Sequence, residues 1–180
     1  RGLGARVKTD FLASEVRKPT VNLIAIIEHK QNISKIVDFN RRLSMHEFMH
    51  TEPVNTHIWL FWNRNISVDL VRAGDQYITT KITKDLDTFF VSFINGSFSH
   101  KQGDSLWQDL SNFVLGSCPW FLGGDWNVVS DPDERKGRGS FPRKESLSFV
   151  SFMDSNSFSD LGYTGDRFTW CNNQRGPRRS

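Results

Sequence analysis

Hydrophobic and polar positions divide the chain into short apolar runs and helix-spaced stretches. Residues 6–16 have helical spacing, with Val7, Phe11, Leu12 and Val16 on one face and Pro19 closing it. Residues 21–27 form a nearly unbroken, β-branched run, which predicts a strand buried on both faces and ending at Glu28. Residues 34–49 read as a second helix, with Ile36, Val37, Phe39, Leu43 and Phe48 inward, and residues 58–62 as another buried strand. Residues 66–83 alternate, which predicts two half-exposed antiparallel strands turning at Ala73-Gly74-Asp75. Asp85-Leu86-Asp87 then leads into a strand over residues 88–94, broken by Asn95-Gly96. A helix follows over residues 104–115, with Leu106, Trp107, Leu110, Phe113 and Val114 as its inner face. Residues 119–129 form the next strand, and residues 144–153 the last helix, with Leu147, Val150 and Met153 inward. Phe168-Thr169-Trp170 would be a final strand. Strands and helices alternate without regular βαβ spacing, which favours a two-sheet α/β sandwich with helices outside over a doubly wound parallel sheet.

Composition narrows the picture. With 180 residues, the chain is long enough for one domain with a real core, spanning residues 1–180, and too short to expect two. Six Trp and 15 Phe supply that core and argue against disorder. A net charge of +3 is compatible with a polyanionic partner without demanding one. Cys118 and Cys171 form no CxxC pair, which speaks against a disulfide framework or zinc knuckle and for a reducing, intracellular setting. No apolar run approaches the length of a membrane span, and no signal-peptide pattern opens the chain. The start at Arg1 and the stop at Ser180 suggest a piece of something longer.

The densest candidate chemistry lies in Trp120-Phe121-Leu122-Gly123-Gly124-Asp125-Trp126-Asn127. Strand alternation would place Asp125 and Asn127 on one side and Trp126 on the other. The two glycines would leave room for another backbone or a phosphate. A local turn in which Asp125 and Asn127 bond nearby amides explains the same residues. Glu28, closing its apolar run, is either a ligand or a solvated end-cap. His46-Glu47-Phe48-Met49-His50 matches H-E-x-x-H, which needs a helix so that both imidazoles face one zinc ion. Pro53 and Thr56 stand where the extended zincin pattern needs Gly and His, so a surface helix with two histidines is the simpler account. Asp131-Pro132-Asp133-Glu134-Arg135-Lys136-Gly137-Arg138 reads as a charged loop, solvated by default.

Together, the Gly-Gly-Asp-Trp-Asn block, the Pro132-Asp133-Glu134-Arg135-Lys136-Gly137 loop and the stretch Asp160-Leu161-Gly162-Tyr163-Thr164-Gly165-Asp166-Arg167-Phe168-Thr169-Trp170 resemble the endonuclease/exonuclease/phosphatase superfamily. More narrowly, they resemble the endonuclease-like domain of plant-type LINE (non-LTR) retrotransposons and their decayed relatives. Arg1-Gly2-Leu3-Gly4, Ile26-Ile27-Glu28-His29-Lys30, Ile58-Trp59-Leu60-Phe61-Trp62-Asn63 and Ser105-Leu106-Trp107-Gln108-Asp109-Leu110 match further family blocks, in order. The resemblance implies a four-layered α/β sandwich and a Mg²⁺- or Mn²⁺-dependent phosphodiesterase that nicks DNA, acting in the nucleus. By position it implies Glu28 as the metal carboxylate, Asp125 as the residue orienting or deprotonating water, and Asn127 as a donor to phosphoryl oxygens. Arg135, Lys136, Arg138 and Arg175 are candidate DNA contacts. These assignments require Glu28, Asp125 and Asn127 to share one hollow. The family's strand-one Asn, its Tyr (Asn95 stands near that position), its Gly-Gly (Thr56-His57 here) and its S-D-H block have no counterpart. That implies a fragment incomplete at both ends, with little or no activity. A catalytically dead remnant that at most binds nucleic acid, or a superfamily phosphatase, remains the alternative.

Overall fold

The structure, a computed structural model, describes residues 6–18, 20–97, 99–113, 115–136, 141–165 and 168. Two compact units emerge, Arg1–Asn95 with Val114–Asp125, and Gly96–Phe113 with Trp126–Ser180. The first contains helices α1 (Arg6–Val16) and α2 (Ile36–Leu43) and seven strands. Strands β1 (Leu23–Ile27), β2 (Glu47–Thr51) and β3 (Asn55–Trp62) form an antiparallel sheet in the order β1-β3-β2. Strands β4 (Ser67–Gly74), β5 (Tyr77–Lys84), β6 (Asp87–Asn95) and β7 (Trp120–Asp125) form a second sheet in sequence order. Within it only the β6–β7 pair is parallel.

The sheets pack face to face, as expected of an α/β sandwich, and β3 shows why. Its residues 58–62 are all buried. Ile58, Leu60 and Trp62 join Val68, Ile78 and Ile82 in the layer between the sheets, whereas Trp59 and Phe61 join Val16, Ile36, Phe39 and Leu43 beneath the helices. Alternation thus sends one strand into two apolar layers, the condition under which an unbroken hydrophobic run is a strand. β1 has a similar sequence but, among the described residues, lies at a sheet edge, where Ile26 alone of its five residues is buried. Among the described residues β7 is also an edge strand, with Phe121 exposed, so there the Gly-Gly-Asp run is not the buried strand its sequence suggests.

Other expectations shift in register. β5 is central rather than half-exposed, and Tyr77, Ile78, Thr79 and Thr80 are buried. Its Thr79 Oγ1 lies 2.7 Å from Ser92 Oγ, which also accepts from Trp120 Nε1 at 2.9 Å, linking three strands through hydroxyls that are fully buried at Thr79 and Ser92. On α1, Thr9, Ala13 and Val16 are buried and Leu12 packs against the same core, while Phe11 is 67% exposed; the Val7 side chain lies outside the described residues. On α2, Ile36, Phe39 and Leu43 are buried as their spacing predicts, but Val37 is exposed.

The second helix stops at Leu43 rather than Met49. Ser44 adopts φ 58, Met45 N donates to Asn40 O at 3.2 Å, and the Met45 side chain drops into the core. This C-terminal arrangement caps the last carbonyls and turns the chain away. It becomes β2, which pairs Phe48 with Phe61 and Met49 with Leu60, and Phe48 is exposed. A tight turn at Thr51–Val54, closed by Val54 N to Thr51 O at 2.9 Å, leads into β3.

In the second unit, α3 (His100–Ser111) begins earlier than its sequence suggests, with Gly103 and Asp104 inside it. Helix α4 spans Arg143–Ser155. Trp107 of α3 meets Phe149 and Phe152 of α4 at ring-centroid distances of 5.3 and 5.1 Å. The inward face of α4 is therefore aromatic, and Leu147 is 61% exposed. Phe168 is described outside any strand; Thr169, Trp170 and the basic tail lie outside the described residues.

Asn55, 1% exposed, saturates its amide: Nδ2 donates to Gly74 O (3.0 Å) and Asp75 O (3.1 Å), and Oδ1 accepts from His57 N (2.9 Å) and Ile58 N (3.1 Å). It ties the start of β3 to the β4–β5 turn. Replacing Asn55 with Ala strands buried donors and acceptors, so urea denaturation is expected to show a loss of about 2–3 kcal/mol. A loss under about 1 kcal/mol would show that the tie carries little.

Candidate active site

Glu28 follows β1 directly, and its backbone N–H donates to His57 O at 2.9 Å, the last bond of the β1–β3 ladder. There the chain leaves the strand. Glu28 and Lys30 both adopt left-handed backbone, φ 52 and φ 53, conformations that cost a non-glycine residue ~1–2 kcal/mol each. The Glu28 side chain is 49% exposed, with its Oε2 3.8 Å from Lys30 Nζ, an exposed pairing of small energetic consequence. It lines an open hollow of about 390 Å³ together with Lys30, Asn32, Glu52 and His57.

Glu52 and His57 are not singled out by sequence reading. Their signal was hidden because residues 34–49 read as helix; once residues 47–51 are a strand and Pro53 sits in a hairpin turn, both residues fall beside the end of β1. Among the described residues, no three His, Cys, Asp or Glu side chains are grouped closely enough to hold a metal ion. A closed, all-protein cage is therefore not built here. The hollow offers two carboxylates, Glu28 and Glu52, and one or two carboxylates are what an open divalent-cation site completed by water and phosphate takes from a protein.

Asp125 is the last residue of β7, exposed and in register with Asn95. It is not among the residues lining the Glu28 hollow. The glycine before it has a clear reason: Gly124 has φ 146, and a Cβ there would lie 2.1 Å from Ile94 O. The adjacent strand, rather than a ligand, excludes the side chain. At Gly123 nothing lies within 4 Å of a Cβ.

Strand geometry ends at Asp125, so alternation does not govern Asn127. Asn127 has φ 50, and its Nδ2 donates to Gly96 O at 2.6 Å. Gly96 cannot carry a Cβ, which would meet Trp126 O at 2.3 Å. Trp126 packs on Trp107 and Phe149, with ring centroids 5.8 and 5.2 Å away. Asn127 lines a small cleft with Ser97, Ser99, Trp107 and Glu145.

The charged loop is more ordered than a solvated tract. Asp131 caps a 3₁₀ turn over Pro132–Glu134 by accepting from Asp133 N at 2.8 Å. Glu134 reaches back to Ser130 N and Oγ at 2.7 and 2.8 Å. Both acids thus serve the turn, and Arg135 and Lys136 follow it, half-buried and exposed respectively. Arg138 and Arg175 lie outside the described residues.

The H-E-x-x-H match does not survive folding. His50 lies on β2 and His46 immediately precedes it, so the imidazoles are roughly 13 Å apart along an extended chain rather than one helical turn. His46 Nδ1 lies 3.1 Å from Asn63 Oδ1. Two ligands of one zinc ion cannot be so far apart.

The chain has an α/β-sandwich fold that it shares with two solved structures. It is similar to the β-hairpin deletion mutant of beta toxin from Staphylococcus aureus, at 12% identity and a TM-score of 0.59, over 91% of this chain and 69% of that one. It is also similar to the AP endonuclease LMAP from Leishmania major, at 14% identity and a TM-score of 0.53. That match covers 83% of this chain and 61% of the AP endonuclease, so the chain spans less than two thirds of that enzyme. No protein-family model and no curated protein matches the sequence. Identities this low establish fold, and function must come from the site.

The two neighbouring glycines should respond differently to alanine. Gly124→Ala is expected to lower stability by about 2 kcal/mol or more, through backbone strain and collision with β6. Gly123→Ala should stay within about 0.5 kcal/mol of the parent. Thermal denaturation of the pair measures this, and equal losses would contradict the assigned roles.

Proposed function

We propose that the chain is a divalent-metal-dependent phosphodiesterase domain that nicks DNA, of the LINE-retrotransposon endonuclease kind. The observation that carries it is Glu28, turned out of β1 into an open hollow on a nuclease-type fold. The sequence blocks around Glu28, Ile58 and Asp125 support the narrower LINE assignment, and they favour it over a superfamily phosphatase. The AP endonuclease among the similar structures supports a nucleic-acid substrate. Among the described residues no helix is long and apolar enough to cross a membrane. A DNA-cutting role places the site of action in the nucleus.

Glu28 would hold Mg²⁺ or Mn²⁺, with Glu52 a second oxygen donor on the same hollow. The metal, when bound, offsets negative charge developing on the phosphate. Asp125, which does not line the Glu28 hollow, is assigned by the resemblance to accept the proton of the attacking water or to orient it. Asn127 is assigned by the resemblance as a donor to a phosphoryl oxygen. Arg135 and Lys136 contact flanking phosphates, and Arg138 and Arg175 are assigned the same role from sequence. The second reading is a remnant that only binds nucleic acid.

A supercoiled-plasmid assay with Mg²⁺ or Mn²⁺ separates the readings, because one cut relaxes the circle. Slow, metal-dependent nicking at most is expected from the parent chain, and none from Glu28→Gln or Asp125→Asn. DNA binding should persist in both variants and fall steeply between 50 and 200 mM salt, as phosphate contacts require. Nicking that survives both substitutions, or binding indifferent to salt, would overturn the assignment.

A further inference from the structure

We propose that His29 is the positioning residue for Glu28, its buried ring clamping the left-handed turn that delivers the carboxylate to the hollow. The proposal rests on Glu28 being the metal carboxylate and adds the residue that sets its direction.

Along β1, Leu23, Ala25 and Ile27 belong to the layer between the sheets, and Ile24 and Ile26 to the layer beneath the helices. Period-2 alternation assigns the next helix-side position to Glu28. An unpaired carboxylate there would be buried among Trp59, Phe39 and Ile36, an unfavourable place for charge. Instead, the left-handed turn at Glu28 swings its side chain out, and His29 takes the helix-side slot. Its ring is 2% exposed and stacks on Trp59, with centroids 3.8 Å apart and planes 20° from parallel. Ile26 is the register partner of Trp59, so the ring lies where the strand's own next side chain would have gone.

The second tether runs through the ring. Gln31 N–H donates to His29 Nδ1 at 3.1 Å, spanning Lys30 and its second left-handed backbone. Nδ1 therefore acts as an acceptor, and the tautomer follows from that bond. Stacking fixes the ring, and the ring holds the backbone on the far side of the turn. The position of Glu28 between His57 O and this clamp follows from both bonds.

Two substitutions separate the tethers. His29→Phe keeps an aromatic ring on Trp59 but has no acceptor. His29→Asn keeps an acceptor for the amide two residues on but cannot stack. Mn²⁺ binding, followed by electron paramagnetic resonance, and exchange of the Gln31 amide, followed by NMR, are the readouts. H29F is expected to melt near the parent temperature, to exchange the Gln31 amide at least tenfold faster and to bind Mn²⁺ at least tenfold more weakly. H29N is expected to melt lower but to keep Gln31 protection and Mn²⁺ affinity within about threefold. Parent-like Mn²⁺ affinity and Gln31 protection in H29F would overturn the proposal, as would unprotected Gln31 in the parent. If E28Q binds Mn²⁺ as tightly as the parent, the metal assignment of Glu28 fails instead, and Gln31 exchange in H29F still decides whether His29 holds the turn.

Discussion

The first unit depends on burying β3 from both sides. Residues 58–62 carry two tryptophans, a phenylalanine, a leucine and an isoleucine in succession, and all are buried. A strand of this composition cannot lie on a surface. It needs an apolar layer on each face, and the chain supplies α1 and α2 on one side and the four-stranded sheet on the other. Trp59 shows the constraint most plainly, packed edge-on by Phe39 and Phe61 and covered by the His29 ring.

The candidate site is built outward from that strand. The carbonyl of His57 fixes the Glu28 backbone, Trp59 supports the neighbouring imidazole, and Asn55 anchors the entry to β3. Glu28 itself remains half-exposed, on left-handed backbone just past the end of β1. A carboxylate at a strand end, lining an open hollow, is the kind of donor that the proposed metal would need. Asp125 and Asn127 occupy different environments: the first ends an edge strand, and the second is fastened to Gly96 beside an aromatic cluster.

Much of this was legible along the chain, and the failures have physical reasons. Residues 58–62 announced a doubly buried strand because their apolar run is short, unbroken and aromatic. The run ending at Glu28 looks alike but sits at an edge, since pairing order is not written in local hydrophobicity. Residues 46–50 suit a helix by propensity, yet the cap at Ser44, the burial of Met45 and pairing with β3 make residues 47–51 a strand. That one change dissolves an apparent zinc motif and brings Glu52 and His57 beside Glu28.

The sequence alone determined the sandwich class and the burial of β3, because residue type and period fix which faces must leave water. Tertiary structure decided where Glu28 points, why Gly124 must be glycine and what His29 does. Those outcomes turn on left-handed backbone, a neighbouring carbonyl and a ring stacked on Trp59, contacts made by residues that local sequence pattern does not place together.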